Sequence, residues 1–151
     1  MSQPFSLQPL LELMQSRTDE ATRRLGQLIA NEQNAKSRLQ MLEDYRAEYA
    51  NRLRDAIAQG MTRQVLANYQ DFLGRIDEAI TQQTAAVRQS EETTSRGQQH
   101  WKEQHTRLKA IDTLSIRHDA KERQREGKIE QKQQDEFSAR KFAIAPSRDN
   151  D

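Results

Sequence analysis

The sequence contains no cysteine, which excludes disulfide bracing and thiolate chemistry and is compatible with a reducing cytoplasm. Its three prolines, Pro4, Pro9 and Pro146, all stand near the ends, so none interrupts the stretch between Leu10 and Ala145. Only five glycines punctuate 151 residues, and aromatic residues make up 5%. No run of about twenty apolar residues exists, so no membrane-spanning helix is expected. The opening residues lack a basic start, a long apolar run and a cleavage site, so no secretion signal is expected. Nor does one sign of charge dominate: 24 Lys and Arg against 23 Asp and Glu leave +1.

What is present is polar and periodic. Apolar residues make up 34% and charged residues 31%, against roughly 45–50% and about 25% in ordinary domains. A chain this polar cannot fill a broad core, so it buries one narrow stripe or none. The scarcity of helix breakers favours long helices over disorder. Nothing in the composition marks a second domain, and residues 1–151 read as one coiled-coil domain.

The organising stretch is Ala58-Gln59-Gly60-Met61-Thr62. Gly60 suits the left-handed conformation that ends a helix, and Thr62 can cap the next one. Helices joined by so short a link must run antiparallel and side by side. The sequence therefore predicts a first helix over about 6–59, a hinge at about 58–62, a second helix over about 63–142 and a tail at 143–151. The first helix should begin between Ser6 and Pro9, leaving residues 1–5 as a frayed tail.

Within the first helix a heptad holds. Leu7, Met14, Ala21, Leu28, Ala35, Leu42, Tyr49 and Ala56 form position d; Leu11, Thr18, Leu25, Glu32, Leu39, Arg46 and Leu53 form position a. Twelve of these fifteen are apolar, which is the pattern of a coiled coil. Glu20–Arg24 and Glu48–Arg52 are spaced for ion pairs along the outside. In the second helix Leu66, Tyr69, Leu73, Ile76, Ile80, Gln83 and Val87 continue the seam. It weakens at Ser90, Thr94 and Gly97, where bending or fraying is expected, and resumes at Trp101, Leu108 and Ile111, helped by Leu114. Beyond that, His118, Glu122, Arg125, Ile129, Lys132 and Glu136 include one apolar residue. The hinge sets Tyr49 opposite Phe72, Tyr45 opposite Ile76, Leu42 opposite Ala79 and Leu7 opposite Leu114. The fold class is thus all-α: a long antiparallel two-helix coiled coil, a helical hairpin whose second helix overhangs after Leu114. The paired part should be roughly 80 Å long.

Catalytic and metal chemistry find no support. His100 and His105 are five apart, not the four that brings two ligands to one helix face. The carboxylates lie on solvated faces, and no glycine-rich phosphate loop, nucleophile elbow or Walker motif occurs. No enzyme activity, metal, cofactor or small-molecule ligand is expected. An RNA-binding helical arm needs clustered basic residues. Here Arg63, Arg75 and Arg88 are scattered, and residues 117–141 mix eight basic with six acidic residues, so nucleic acid is the weaker alternative.

The informative cluster is aromatic. Tyr45 and Phe72 each precede an a position and so occupy g edges, which flank the same side of an antiparallel seam. Leu42, Tyr49, Tyr69, Ile76 and Ala79 lie beside or beneath them. Edge positions normally carry charge, so aromatic rings there suggest a docking surface.

These residues carry a family resemblance. LEDYRAEY (42–49), the glycine hinge, NYQDFLGRIDEAIT (68–81) and QKQQDEF (131–137) closely resemble the bacterial flagellar export protein family FliJ. The resemblance implies a two-helix coiled coil similar to the central stalk subunit of rotary ATPases. It implies a non-enzymatic part of the flagellar type III export apparatus, needed for flagellum assembly and motility. Such a protein docks into the FliI export ATPase ring, contacts the export-gate protein FlhA and binds flagellar export chaperones. The family's gate-binding face maps onto Leu42, Tyr45, Tyr49, Phe72, Ile76 and Ala79. Arg38 and Gln83 flank it, where relatives carry glutamine and histidine. The implied location is the cytoplasm, peripheral to the inner membrane at the flagellar base. By the stalk analogy the paired termini enter the ring, with Arg17, Arg23 and Arg24 as candidate contacts, and the hinge faces the gate. An escort that only ferries export chaperones is the other reading.

Overall fold

A computed structural model describes residues 3–144. Two helices make up the fold, α1 (Gln8–Gln59) and α2 (Arg63–Ile144), packed against each other as an all-α helical hairpin. The first turn of α1 tolerates Pro9 because its N–H groups need no helical partner. The Gln8 N–H donates to the Phe5 carbonyl at 3.0 Å, and the Leu11 N–H to that of Leu7 at 2.9 Å.

The link between the helices is three residues long. Gly60 has φ +90°, which a side chain would strain, and its N–H donates to the Ile57 carbonyl at 3.1 Å. The Thr62 hydroxyl then accepts the Val65 N–H at 3.2 Å, satisfying one orphan donor of α2.

The described residues group into two compact units, 18–104, which holds the hinge, and 3–17 with 105–144. In the first, the seam follows the heptad. From Thr18 to Ala56 every expected a and d position on α1 is buried or half-buried except Arg46. On α2 the same holds from Leu66 through Val87, and Ser90, Thr94 and Gly97 continue it. Ala21, Ile76 and Val87 are its buried apolar residues, between 5% and 8% exposed.

The weak segment around Gly97 does not fray, contrary to one part of the expectation, because α2 is continuous there. Thr94 is 5% exposed and its hydroxyl donates to the Leu28 carbonyl at 3.3 Å. A Cβ on Gly97 would lie 2.6 Å from Leu28 Cδ1, so the glycine admits a close approach of α1 rather than marking a loose seam. Trp101 Nε1 donates to the Thr22 hydroxyl at 2.8 Å, a further tie across the helices. Gln104, passed over in the periodicity, occupies a seam position: it is 6% exposed, and its Oε1 finds no hydrogen-bond partner among the described residues.

In the second unit the sequence expectation needs correction. Leu7 and Leu114 were expected to face each other where the seam ends, but both are exposed, at 38% and 45%. Beyond Ile111 the half-buried residues of α2 are Ser115, His118, Glu122 and Glu126. Residues 3–5, expected to be frayed, supply partners for His118 and Glu122. His118 Nε2 lies 2.8 Å from the Gln3 carbonyl, the Gln3 N–H donates to Glu122 at 3.1 Å, and the Phe5 ring sits 5.5 Å from that of His118. His118 and Glu122 hold their places by hydrogen bonding to backbone, which an apolar count does not register. The wholly exposed part of α2 accordingly begins near 127, not after Leu114, and runs to 143. Residues 1–2 and 145–151, including most of the expected tail, lie outside the described residues.

Of the two ion pairs expected on the outside of α1, Glu48–Arg52 forms at 2.8 Å. Glu20–Arg24 does not form among the described residues. A pair across the helices takes its place in importance: Arg46, the exposed a position, meets Asp77 through two hydrogen bonds, one of them at 3.3 Å. The Arg46 guanidinium, chiefly by that hydrogen bonding, holds the Asp77 carboxyl below its ordinary value of 3.8.

Two predictions follow from the seam and this pair. Gln104→Leu should raise stability by about 1–2 kcal/mol, because it removes an unpaired buried acceptor and adds apolar contact; an unchanged or lower melting temperature would refute this. For Asp77, the folded pKa is depressed, so its contribution is complete above the ordinary carboxylate value and lost as pH falls through the lower folded one. Melting of the parent and of Asp77→Asn should therefore differ near neutral pH and converge in acid. Both partners are about half exposed, so the difference should be small and shrink with salt.

Candidate functional site

The aromatic cluster lies in the hinge-bearing unit, where the antiparallel register brings Tyr45 and Tyr49 of α1 against Tyr69 and Phe72 of α2. Tyr49 is at its centre: its ring lies 4.5 Å from Phe72, 5.2 Å from Tyr69 and 6.2 Å from Tyr45. Tyr45 meets Phe72 edge-on at 6.2 Å. Such tilted and edge-on contacts suit the ring quadrupole and fix each ring against its neighbour.

Burial divides the eight expected site residues by role. Ile76 is 6% exposed and forms the floor, closed to any partner. Leu42, Tyr49, Phe72 and Ala79 are half-buried. Tyr45 is 46% exposed and Arg38 is also exposed. Gln83 is half-buried, and its Nε2 donates to the Ala35 carbonyl at 3.0 Å, so its amide joins the helices. Phe72, expected as an exposed edge ring, is thus partly a packing residue because it stacks on Tyr49.

A shallow open groove gathers Arg38, Leu42, Tyr45 and Gln83 with three residues that periodicity did not single out, Met41, Asp44 and Glu48. Met41 is 69% exposed and stands one turn before Tyr45. That four-residue spacing from an aromatic edge position was the signal available in the sequence. Met41 and Tyr45 give the groove an adaptable apolar surface, rimmed by Arg38 on one sign and Asp44 and Glu48 on the other. Asp44 accepts a hydrogen bond from Gln40 at 2.9 Å, and Glu48 pairs with Arg52. The groove offers apolar contact and charge selection, the chemistry of docking.

Among the described residues no group of three or more His, Cys, Asp or Glu side chains is placed to hold a metal ion. No described helix is long and apolar enough to cross a membrane.

The profile of the FliJ family, described as flagellar FliJ protein, matches residues 2–147. The flagellar FliJ protein of Escherichia coli (strain K12) is 32% identical over 140 residues, covering 93% of this chain and 95% of that one. The flagellar FliJ protein of Salmonella typhi is similar to the same extent. With a match over nearly its whole length and relatives at this identity, the chain belongs to the FliJ family of flagellar proteins.

Proposed function

We propose that this FliJ-family chain is a non-enzymatic component of flagellar protein export, a stalk that links the export ATPase ring to the export gate. The observation that carries the reading is the aromatic cluster: Tyr45 is held edge-on against Phe72 yet remains 46% exposed beside Met41. Packed rings with an open face lose little freedom on binding, which favours affinity. The gate protein FlhA is the proposed occupant of this face, and the FliI ring is the proposed partner of the paired termini. The exposed α2 segment at 127–143 supports the second assignment, since a single polar helix is marginal without a partner. Phe137 and Phe142 stand there 68% and 87% exposed.

Tyr45→Ala is the direct test, because Phe72 and Ile76 also support the fold. Its helix content and melting should stay near those of the parent. Binding to the soluble domain of the gate should weaken by about 2 kcal/mol, roughly thirtyfold. Stimulation of the ATPase should survive; a pure chaperone escort would not stimulate it even before mutation. Normal gate binding by a folded Tyr45→Ala protein would remove the aromatic face from the reading. Amide exchange tests the other end: residues 127–143 should exchange fast in the free protein and slowly with the ring present. Equal rates in both states would take that segment out of the ring contact.

A further inference from the structure

Beside the close approach at Gly97 lies a notch between α1 and α2, with Arg24, Leu25, Leu28, Arg96, Gly97 and His100 among its lining residues. We propose that this notch docks an acidic segment of a partner protein, one that presents an apolar side chain flanked by carboxylates. The inference is independent of the aromatic face; it shares Arg24 with the candidate ring contacts of the stalk analogy, and its test reads peptide binding rather than ATPase stimulation.

The floor is apolar: Ala21 is buried, Leu25 and Leu28 are half-buried, and Gly97 contributes no side chain. The rim is basic, with Arg24, Arg96 and His100 exposed around it and no carboxylate among the lining residues. Each rim residue has an acidic neighbour at helical spacing, Glu20, Glu92 and Glu103 respectively, and among the described residues none of these pairs forms. Glu103 instead accepts a hydrogen bond from Gln99 at 3.5 Å. Two guanidinium groups and an imidazole are therefore left without an ion pair at the mouth of an apolar depression. Arginine forks match carboxylates with two parallel hydrogen bonds, and the floor adds contact that a bare inorganic anion cannot use. Charge complementarity and the apolar floor together select an acidic peptide with one apolar anchor.

Trp101, the sole tryptophan, stands one turn from Gly97 and is tied to Thr22, so it reports on this site. The probes are a short capped peptide of glutamates around one leucine, its lysine-for-glutamate counterpart, and inorganic phosphate. The glutamate peptide should change Trp101 fluorescence saturably and bind more weakly as salt rises. Arg24→Gln with Arg96→Gln should lower that affinity at least about tenfold with helix content unchanged. Arg24→Glu with Arg96→Glu should switch preference to the lysine peptide, a reversal that mere loss of structure would not produce. Three results overturn the proposal: no saturable change with the glutamate peptide, equal affinity in the parent and the Gln variant, or phosphate binding as tightly as the peptide. The last would make the notch a simple oxyanion site.

Discussion

Burial in this protein is confined to one stripe per helix, and the register of the two stripes is set by a three-residue link. Gly60 ends α1 in a conformation that side chains avoid, and Thr62 starts α2 with its hydroxyl on a backbone N–H. With both ends capped, the helices cannot slide along each other without breaking the turn. Tyr49 meets Phe72 and Thr94 meets Leu28 because of that turn. Fully burying a large apolar side chain contributes about 1.5–3 kcal/mol. Among the described residues no side chain is fully buried, so stability accrues in many small increments. Such a seam tolerates polar members, and Thr18, Thr94 and Gln104 are all among its buried residues.

The same narrowness explains why the aromatic rings are accessible. A ring is wider than the stripe, so Tyr49 and Phe72 fill the seam at its edge and Tyr45 rests against them with one face open. Packing and display are therefore properties of one cluster. Ile76 and Phe72 hold it in place, while Tyr45 and Met41 present its surface.

Much of this was legible in the sequence. The heptad from Leu11 to Ala56 located the seam of α1, and Gly60 with Thr62 located the turn, since both rest on local chemistry that few neighbours can override. The aromatic cluster followed from register alone. The end of the paired arms was misplaced because apolarity was taken as the address of the seam. Leu114 is apolar and exposed, whereas Ser115, His118 and Glu122 are polar and half-buried, the last two with hydrogen-bond partners on the Gln3 backbone. Gly97 read as weakness on helix propensity, yet its missing Cβ is what lets Leu28 approach. Glu20 and Arg24 had the right spacing for an ion pair, but long exposed side chains pay rotamer entropy to hold one geometry.

In a two-helix seam the residues that fold the protein and those left open beside it are separated by one step around the helix. A d residue faces the other arm; its g neighbour flanks the seam and can reach both the other arm and solvent. Tyr45, Phe72 and Arg24 all occupy such flanking places, and each behaves differently. Phe72 is drawn inward by Tyr49, Tyr45 stays open, and Arg24 forgoes Glu20 to line the Gly97 notch. What decides among these outcomes is the size of the seam residue alongside. Where Tyr49 stands in the seam, an aromatic flank finds a ring to stack on. Where Gly97 stands in it, no bulk supports the flank, and a depression with a charged rim remains. Open flanking surfaces on this fold thus arise where seam residues are unusually large or unusually small.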